Sequence, residues 1–116
     1  MRTRKVRALG LGLLLSAAAL AETWNGAIID VMCRPEHLAA GIKKCPNERQ
    51  CMLSPRCQSS GYGIVLQDGK FLKFDAAGSA KALKLLKAMT KETDLRATVT
   101  GTLKRDVITV ETLDIQ

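Results

Sequence analysis

The 116-residue sequence predicts a mainly β fold with one helix, in the order β-β-β-α-β-β, its five strands closed into a small barrel. Three observations lead there. Several short runs rich in β-branched residues alternate apolar and polar side chains, as half-buried strands do. One stretch, residues 80–91, instead repeats at about 100° per residue and reads as the single helix. The four cysteines run from the end of the first strand through the segment before the second, where crosslinks make a long loop credible in a compact domain.

The first 21 residues stand apart. Residues 1–7 carry Arg2, Arg4, Lys5 and Arg7 and no acidic group, and residues 8–20 are apolar. Ala19-Leu20-Ala21 sets small residues where signal peptidase reads them, so cleavage between Ala21 and Glu22 is expected. The apolar run is about fourteen residues, against roughly twenty needed to cross a bilayer. The first cysteine, Cys33, is too far from the cleavage site for a lipoprotein. The expectation is a cleaved signal peptide at 1–21, one domain at 22–116, and a periplasmic or secreted product with no stable membrane insertion. The net charge of +7 then falls to +3, with 14 basic against 11 acidic groups. A domain of this size is too short for most cofactor-binding α/β enzymes.

Residues 24–33 (WNGAIIDVMC) read as the first strand. Residues 34–60 hold all three prolines and three of the cysteines; they read as an irregular segment with a short helical turn at 36–40. Residues 61–67 (GYGIVLQ) and 70–74 (KFLKF) form a strand pair. Asp68-Gly69 between them predicts a two-residue type I′ hairpin, whose central residues both need positive φ. Residues 75–79 break the pattern, and Ser79 is the expected N-cap of the helix at 80–91. Lys81, Lys84, Lys87 and Lys91 fall on one side of that helix, with Ala82, Leu83, Leu85, Leu86 and Met89 on the other. The lysine stripe reads as a solvated face rather than a nucleic-acid patch.

In residues 95–103 (LRATVTGTL), Leu95, Ala97, Val99, Gly101 and Leu103 face one way and Arg96, Thr98, Thr100 and Thr102 the other. Lys104-Arg105-Asp106 makes the turn into the last strand, 107–115, with an irregularity near Glu111. Five short strands with a helix between the third and fourth is the connectivity of an OB-type Greek-key barrel. An open α+β sheet with the helix across one face is the alternative.

Cys33, Cys45, Cys51 and Cys57 read as two disulfides, because an exported domain meets an oxidising compartment and a small one needs staples. Of three connectivities, the nested one (Cys33–Cys57 around Cys45–Cys51) would tie the base and the tip of the loop. Each bond would contribute ~2–4 kcal/mol. A metal site is the sharper alternative, since His37 lies four residues after Cys33, and Met32 and Met52 adjoin cysteines. The spacings contain no CxxC and match no common zinc pattern, so no metal ligand is assigned. The absence of CxxCH excludes covalent haem attachment.

The run WNGAIIDVMC resembles the opening of small exported bacterial OB-fold-like proteins that begin W-x-G-x-I-x-D-x-x-C. Those proteins continue with a cysteine-containing insertion, a G-x-x-Y-V-L-like strand, a V-T-V-T-G-T-L-like strand and a final V-x-x-I strand. Here Cys51, Cys57, GYGIVL at 61–66, ATVTGTL at 97–103 and residues 107–115 correspond. The resemblance spans nearly all of the mature chain and implies the fold, hardly a function. Cys45 is an addition to the pattern, so the family's cysteine arrangement does not carry over directly.

Four classes of function compete. The favoured one is a non-enzymatic, monomeric or weakly associating binding or accessory module for a small ligand or a protein partner. An OB-type barrel binds on the face of strands 2 and 3 and between the flanking loops, which points to Tyr62, Phe71 and Lys73 together with Arg34, His37 and Arg56 of the long loop. The competing reading for Tyr62, Phe71 and Phe74 is that they fill the core, and Trp24 could equally cover a barrel end. Metal handling through Cys33, His37 and the other cysteines is the alternative, and it needs reduced thiols in an oxidising compartment. Nucleic-acid binding would need more aromatics and more charge than the mature chain has. No catalytic residue is assigned: His37 is the sole histidine, no carboxylate pair has a telling spacing, and no cofactor motif is present.

Overall fold

The computed structural model describes residues 20–34 and 47–116. The five strands are β1 (Glu22–Asp30), β2 (Tyr62–Val65), β3 (Phe71–Phe74), β4 (Arg96–Lys104) and β5 (Val107–Ile115). Among the described residues three α-helices accompany them: α1 (Arg49–Met52), α2 (Pro55–Ser60) and α3 (Ala76–Ala88). The strands close into a barrel in the order β1-β2-β3-β5-β4, an OB-like, mainly β architecture. All neighbours are antiparallel except β3 and β5, which run parallel through Lys73–Val107 and Phe74–Ile108. Closure depends on β1, whose first half pairs with β4 and whose last four residues pair with β2.

The core follows the pleat. Ile28 on β1, Ile64 on β2, Leu72 and Phe74 on β3, Ala97 and Val99 on β4 and Ile108 on β5 are buried together with Tyr62 and Leu95. Helix α3 covers this core with Ala82 and Leu86, and Met52 of α1 enters it from another side. A smaller cluster of Ile29, Cys33 and Phe71 lies apart, because Ile29 points to the side of β1 opposite Ile28 and Asp30.

Several elements differ from the sequence reading. The first strand stops at Asp30, and Val31–Cys33 is a 3-10 turn. The expected turn at 36–40 lies outside the described residues, while α1 and α2 organise the end of the segment that reads as irregular. Helix α3 begins four residues early because Asp75, not Ser79, is its N-cap: the carboxylate accepts from the Gly78 N–H at 2.9 Å. Asp is a strong N-cap and no proline blocks residues 76–79. Ser79 instead accepts a hydrogen bond from the Tyr62 N–H at 3.0 Å, and Lys91 lies beyond the helix.

The β2–β3 connection spans residues 66–70, and the Leu66–Lys70 hydrogen bond leaves three residues in its tip rather than two. The Gly69 N–H bonds the Leu66 carbonyl, the Leu66 N–H bonds the Lys70 carbonyl, and only Gly69 has positive φ, at 90°. This is the tight turn followed by a left-handed glycine that three-residue hairpins use. The two-residue turn with both central φ positive stands instead at Arg105 (53°) and Asp106 (64°). Leu103, expected inside, is 38% exposed. The irregularity near Glu111 is present: Thr100 pairs with Thr112 and Gly101 with Val110, leaving Glu111 as the extra residue. No described helix is long and apolar enough to cross a membrane.

Candidate functional site: a cationic hollow and a buried carboxyl–thiol cluster

Two concavities meet at Lys73 and Val107 on the parallel β3–β5 seam. The smaller, about 230 Å³, is lined by Arg34, Phe71, Lys73, Arg105, Asp106 and Val107. The larger, about 430 Å³, runs between β3, the end of α2 and the start of α3.

Apart from Lys73, which both concavities share, the hydroxyls and the carboxylate lining the larger cleft are already committed to the fold. Ser59 donates to the Pro55 carbonyl, Ser60 to the Cys57 carbonyl, Ser79 serves Tyr62 and Asp75 caps α3.

The smaller hollow is different. It gathers Arg34 just after the 3-10 turn, Lys73 on β3 and Arg105 in the β4–β5 turn. Among the described residues no carboxylate pairs with Lys73 or Arg105. The one acid present, Asp106, forms an ion pair with Lys70 at 3.2 Å. The Arg34 guanidinium lies 5.7 Å from the centre of the Phe71 ring, within cation–π range. Phe71 can lie there because Gly63 on β2 has no side chain: a Cβ would come within 2.6 Å of the ring.

Phe71, Lys73 and Arg34 are thus brought together as the sequence reading expects, and Arg105 joins them. Tyr62 does not belong to the hollow. It is 1% exposed in the main core and its hydroxyl donates to the Met52 carbonyl at 2.6 Å, so it is a structural residue. Burial and the negative charge of Asp30 beside it push its phenol up to about 12. Arg56 is exposed on α2 and lines neither concavity. His37 lies outside the described residues. The sequence signal for Arg105 was its place in the β4–β5 turn, one of the two loops that flank the OB binding face.

A second cluster lies behind the barrel wall. Asp30 is 1% exposed, and neither carboxyl oxygen has a hydrogen-bond partner among the described residues. The Cys57 thiol lies against it and against the Ser54 side chain. Burial pushes the Cys57 thiol up, the charges of Asp30 and Cys51 add to that, and the Ser54 hydrogen bond opposes it.

The nested disulfide pairing is overturned here, since Cys51 and Cys57 are both free thiols. Cys33 is disulfide-bonded, Cys45 lies outside the described residues, and no disulfide joins two described residues. Cys33, in the 3-10 turn after β1, packs with Ile29 and Phe71, whereas the Cys57 thiol lies against Asp30. Among the described residues no three His, Cys, Asp or Glu side chains are grouped to hold a metal ion.

Comparison with protein-family models, with curated proteins and with solved structures finds no match to this chain.

Proposed function

We propose that this protein is an exported, non-enzymatic binding module whose OB-like barrel takes a small organic anion, a phosphate or carboxylate, in the hollow of Arg34, Lys73 and Arg105. One observation carries the reading: Lys73 from β3 and Arg105 from the β4–β5 turn stand on one concave surface beside Arg34 of the β1–β2 connection, and among the described residues the acid that lines it, Asp106, is engaged by Lys70. These are the places from which OB-type barrels contact ligands. Gathering like charges costs free energy that an anion would recover, and the field of the cluster would draw it in. Stacking on Phe71 holds the Arg34 side chain, so less rotamer freedom is lost on binding. Export rests on the basic and apolar leader and the Ala-Leu-Ala cleavage signal; β1 begins at Glu22, directly after that signal.

The test is thermal unfolding of the purified protein with phenyl phosphate, inorganic phosphate or the uncharged benzyl alcohol. A ligand at ten times its Kd adds about 1.4 kcal/mol, and each kcal/mol moves Tm by roughly 4–8 °C in a domain of this size. The expected result is a shift with both phosphates, none with the alcohol, and loss of the shift in a Lys73→Ala/Arg105→Ala double variant. Equal shifts in wild type and double variant would place binding elsewhere.

A further inference from the structure

Beyond the cationic hollow, the structure holds two free thiols on consecutive short helices: Cys51, half-buried on α1, and Cys57, buried on α2. Leu53 and Ser54 alone separate the helices. Against Cys57 stands a carboxyl that no structural bond explains. Asp30 is 1% exposed with both oxygens unpartnered, on the inward side of the last residue of β1. Burying such a group without partners costs several kcal/mol, and polar groups left in that state in a folded protein often have chemical work.

We infer that Cys51 and Cys57 form a dithiol that exchanges with disulfides, with Asp30 accepting the proton of Cys57.

The thiolate of Cys51, the more accessible of the two, attacks one sulfur of an incoming disulfide RSSR. An S–S bond forms to Cys51, the RS–SR bond breaks, and one RS⁻ leaves and takes up the proton that Cys51 gave up. Cys57, giving its proton to Asp30, then attacks the Cys51 sulfur. The Cys51–Cys57 bond forms, the second RS⁻ leaves, and the proton on Asp30 passes to it. Two thiols are oxidised, one disulfide is reduced to two RSH, and the carboxyl is restored. This order suits the burial: the half-buried sulfur meets the substrate, and the buried one resolves the mixed disulfide, where a deprotonating group is needed most because burial disfavours its thiolate.

The experiment uses oxidised glutathione as the probe on the purified protein, followed by intact mass after acid quenching and alkylation. The expected course is a transient glutathione adduct on Cys51, then a protein two hydrogens lighter and two reduced glutathiones per chain. Cys57→Ser is expected to stop at the stable adduct. Asp30→Asn, nearly isosteric, is expected to slow its resolution roughly a hundredfold, with the adduct accumulating while its rate of formation is unchanged. Peptide mapping reads where the bond forms. Three results would overturn the inference: thiols inert to glutathione disulfide in the folded protein, a bond mapped to Cys33 instead of Cys51–Cys57, or an Asp30→Asn protein that folds and resolves at the wild-type rate. If Asp30→Asn fails to fold, the Cys57→Ser adduct decides alone: its absence rejects the dithiol.

Discussion

Arg34 rests its guanidinium over the ring of Phe71, 5.7 Å from the ring centre, and this contact links the long β1–β2 connection to β3. The ring in turn packs with Ile29 and Cys33. A flexible cation is thereby seated on a rigid wall of the barrel, within the same hollow as Lys73 and Arg105. Such a contact contributes roughly 0.5–1 kcal/mol at a partly exposed site; its larger effect is to decide where the charge stands.

Arg105 offers a trade between stability and binding. It holds φ at 53° in a turn that favours Asn or Gly, and left-handed backbone costs an ordinary residue roughly 1 kcal/mol. Arg105→Asn is expected to raise stability by about 0.5–1 kcal/mol while weakening phenyl phosphate binding several-fold. Urea unfolding and titration of the same samples measure both effects.

Asn47 closes the gap between β1 and β4. Its amide nitrogen donates to the carbonyls of Ile28 and Leu95, and its oxygen accepts from the Leu95 N–H. Asn47→Ala leaves these part-buried backbone groups short of partners and is expected to cost about 2–4 kcal/mol. The loss should appear as a lower midpoint in denaturant with an unchanged slope.

Tyr62 makes stability depend on alkaline pH. Its phenol is pushed up to about 12 in the folded protein, against about 10 when unfolded. Above pH 10 the unfolded chain therefore releases a proton that the folded chain keeps, and stability falls between pH 10 and 12. Tyr62→Phe is expected to lose about 1 kcal/mol at neutral pH, from the orphaned Met52 carbonyl, and to show a shallower decline above pH 10. Unfolding curves for both proteins across that range make the comparison.

Gly63 is where β2 lets Phe71 and β3 approach. A Cβ there would meet the Phe71 ring at 2.6 and 2.9 Å as well as the Leu72 backbone carbonyl. Gly63→Ala is expected to destabilise by about 2–4 kcal/mol through overpacking, read as a fall in Tm. Gly69→Ala meets no neighbouring atom but is strained by its positive φ, and should cost about 1 kcal/mol.

Strand order and barrel closure were legible in the alternation of residues 95–103 and 107–115 and in the single helical period. Helix and turn boundaries were less so. Asp75 and Ser79 are both good caps, and a Tyr62 N–H from a distant strand determines what Ser79 does. Asp68-Gly69 and Arg105-Asp106 exchange turn types because strand register, which no local dipeptide reveals, sets the loop length. In the candidate site, Arg34, Phe71 and Lys73 could be named from their place beside the OB binding face, and Arg105 only once the hairpin had brought it to them. Tyr62 was a plausible ligand contact until its hydroxyl was found bonded to Met52. Asp30 appeared in sequence only as the aspartate of the W-x-G-x-I-x-D-x-x-C resemblance, and nothing local to it marks the side chain as buried.

The most direct test is an amide ¹H–¹⁵N correlation titration of the purified protein with phenyl phosphate. Saturable shifts centred on Phe71, Lys73, Arg105 and Val107, abolished in the Lys73→Ala/Arg105→Ala variant, are the predicted result. Shifts confined to the Lys81, Lys84 and Lys87 face of α3, or none at all, would contradict the account.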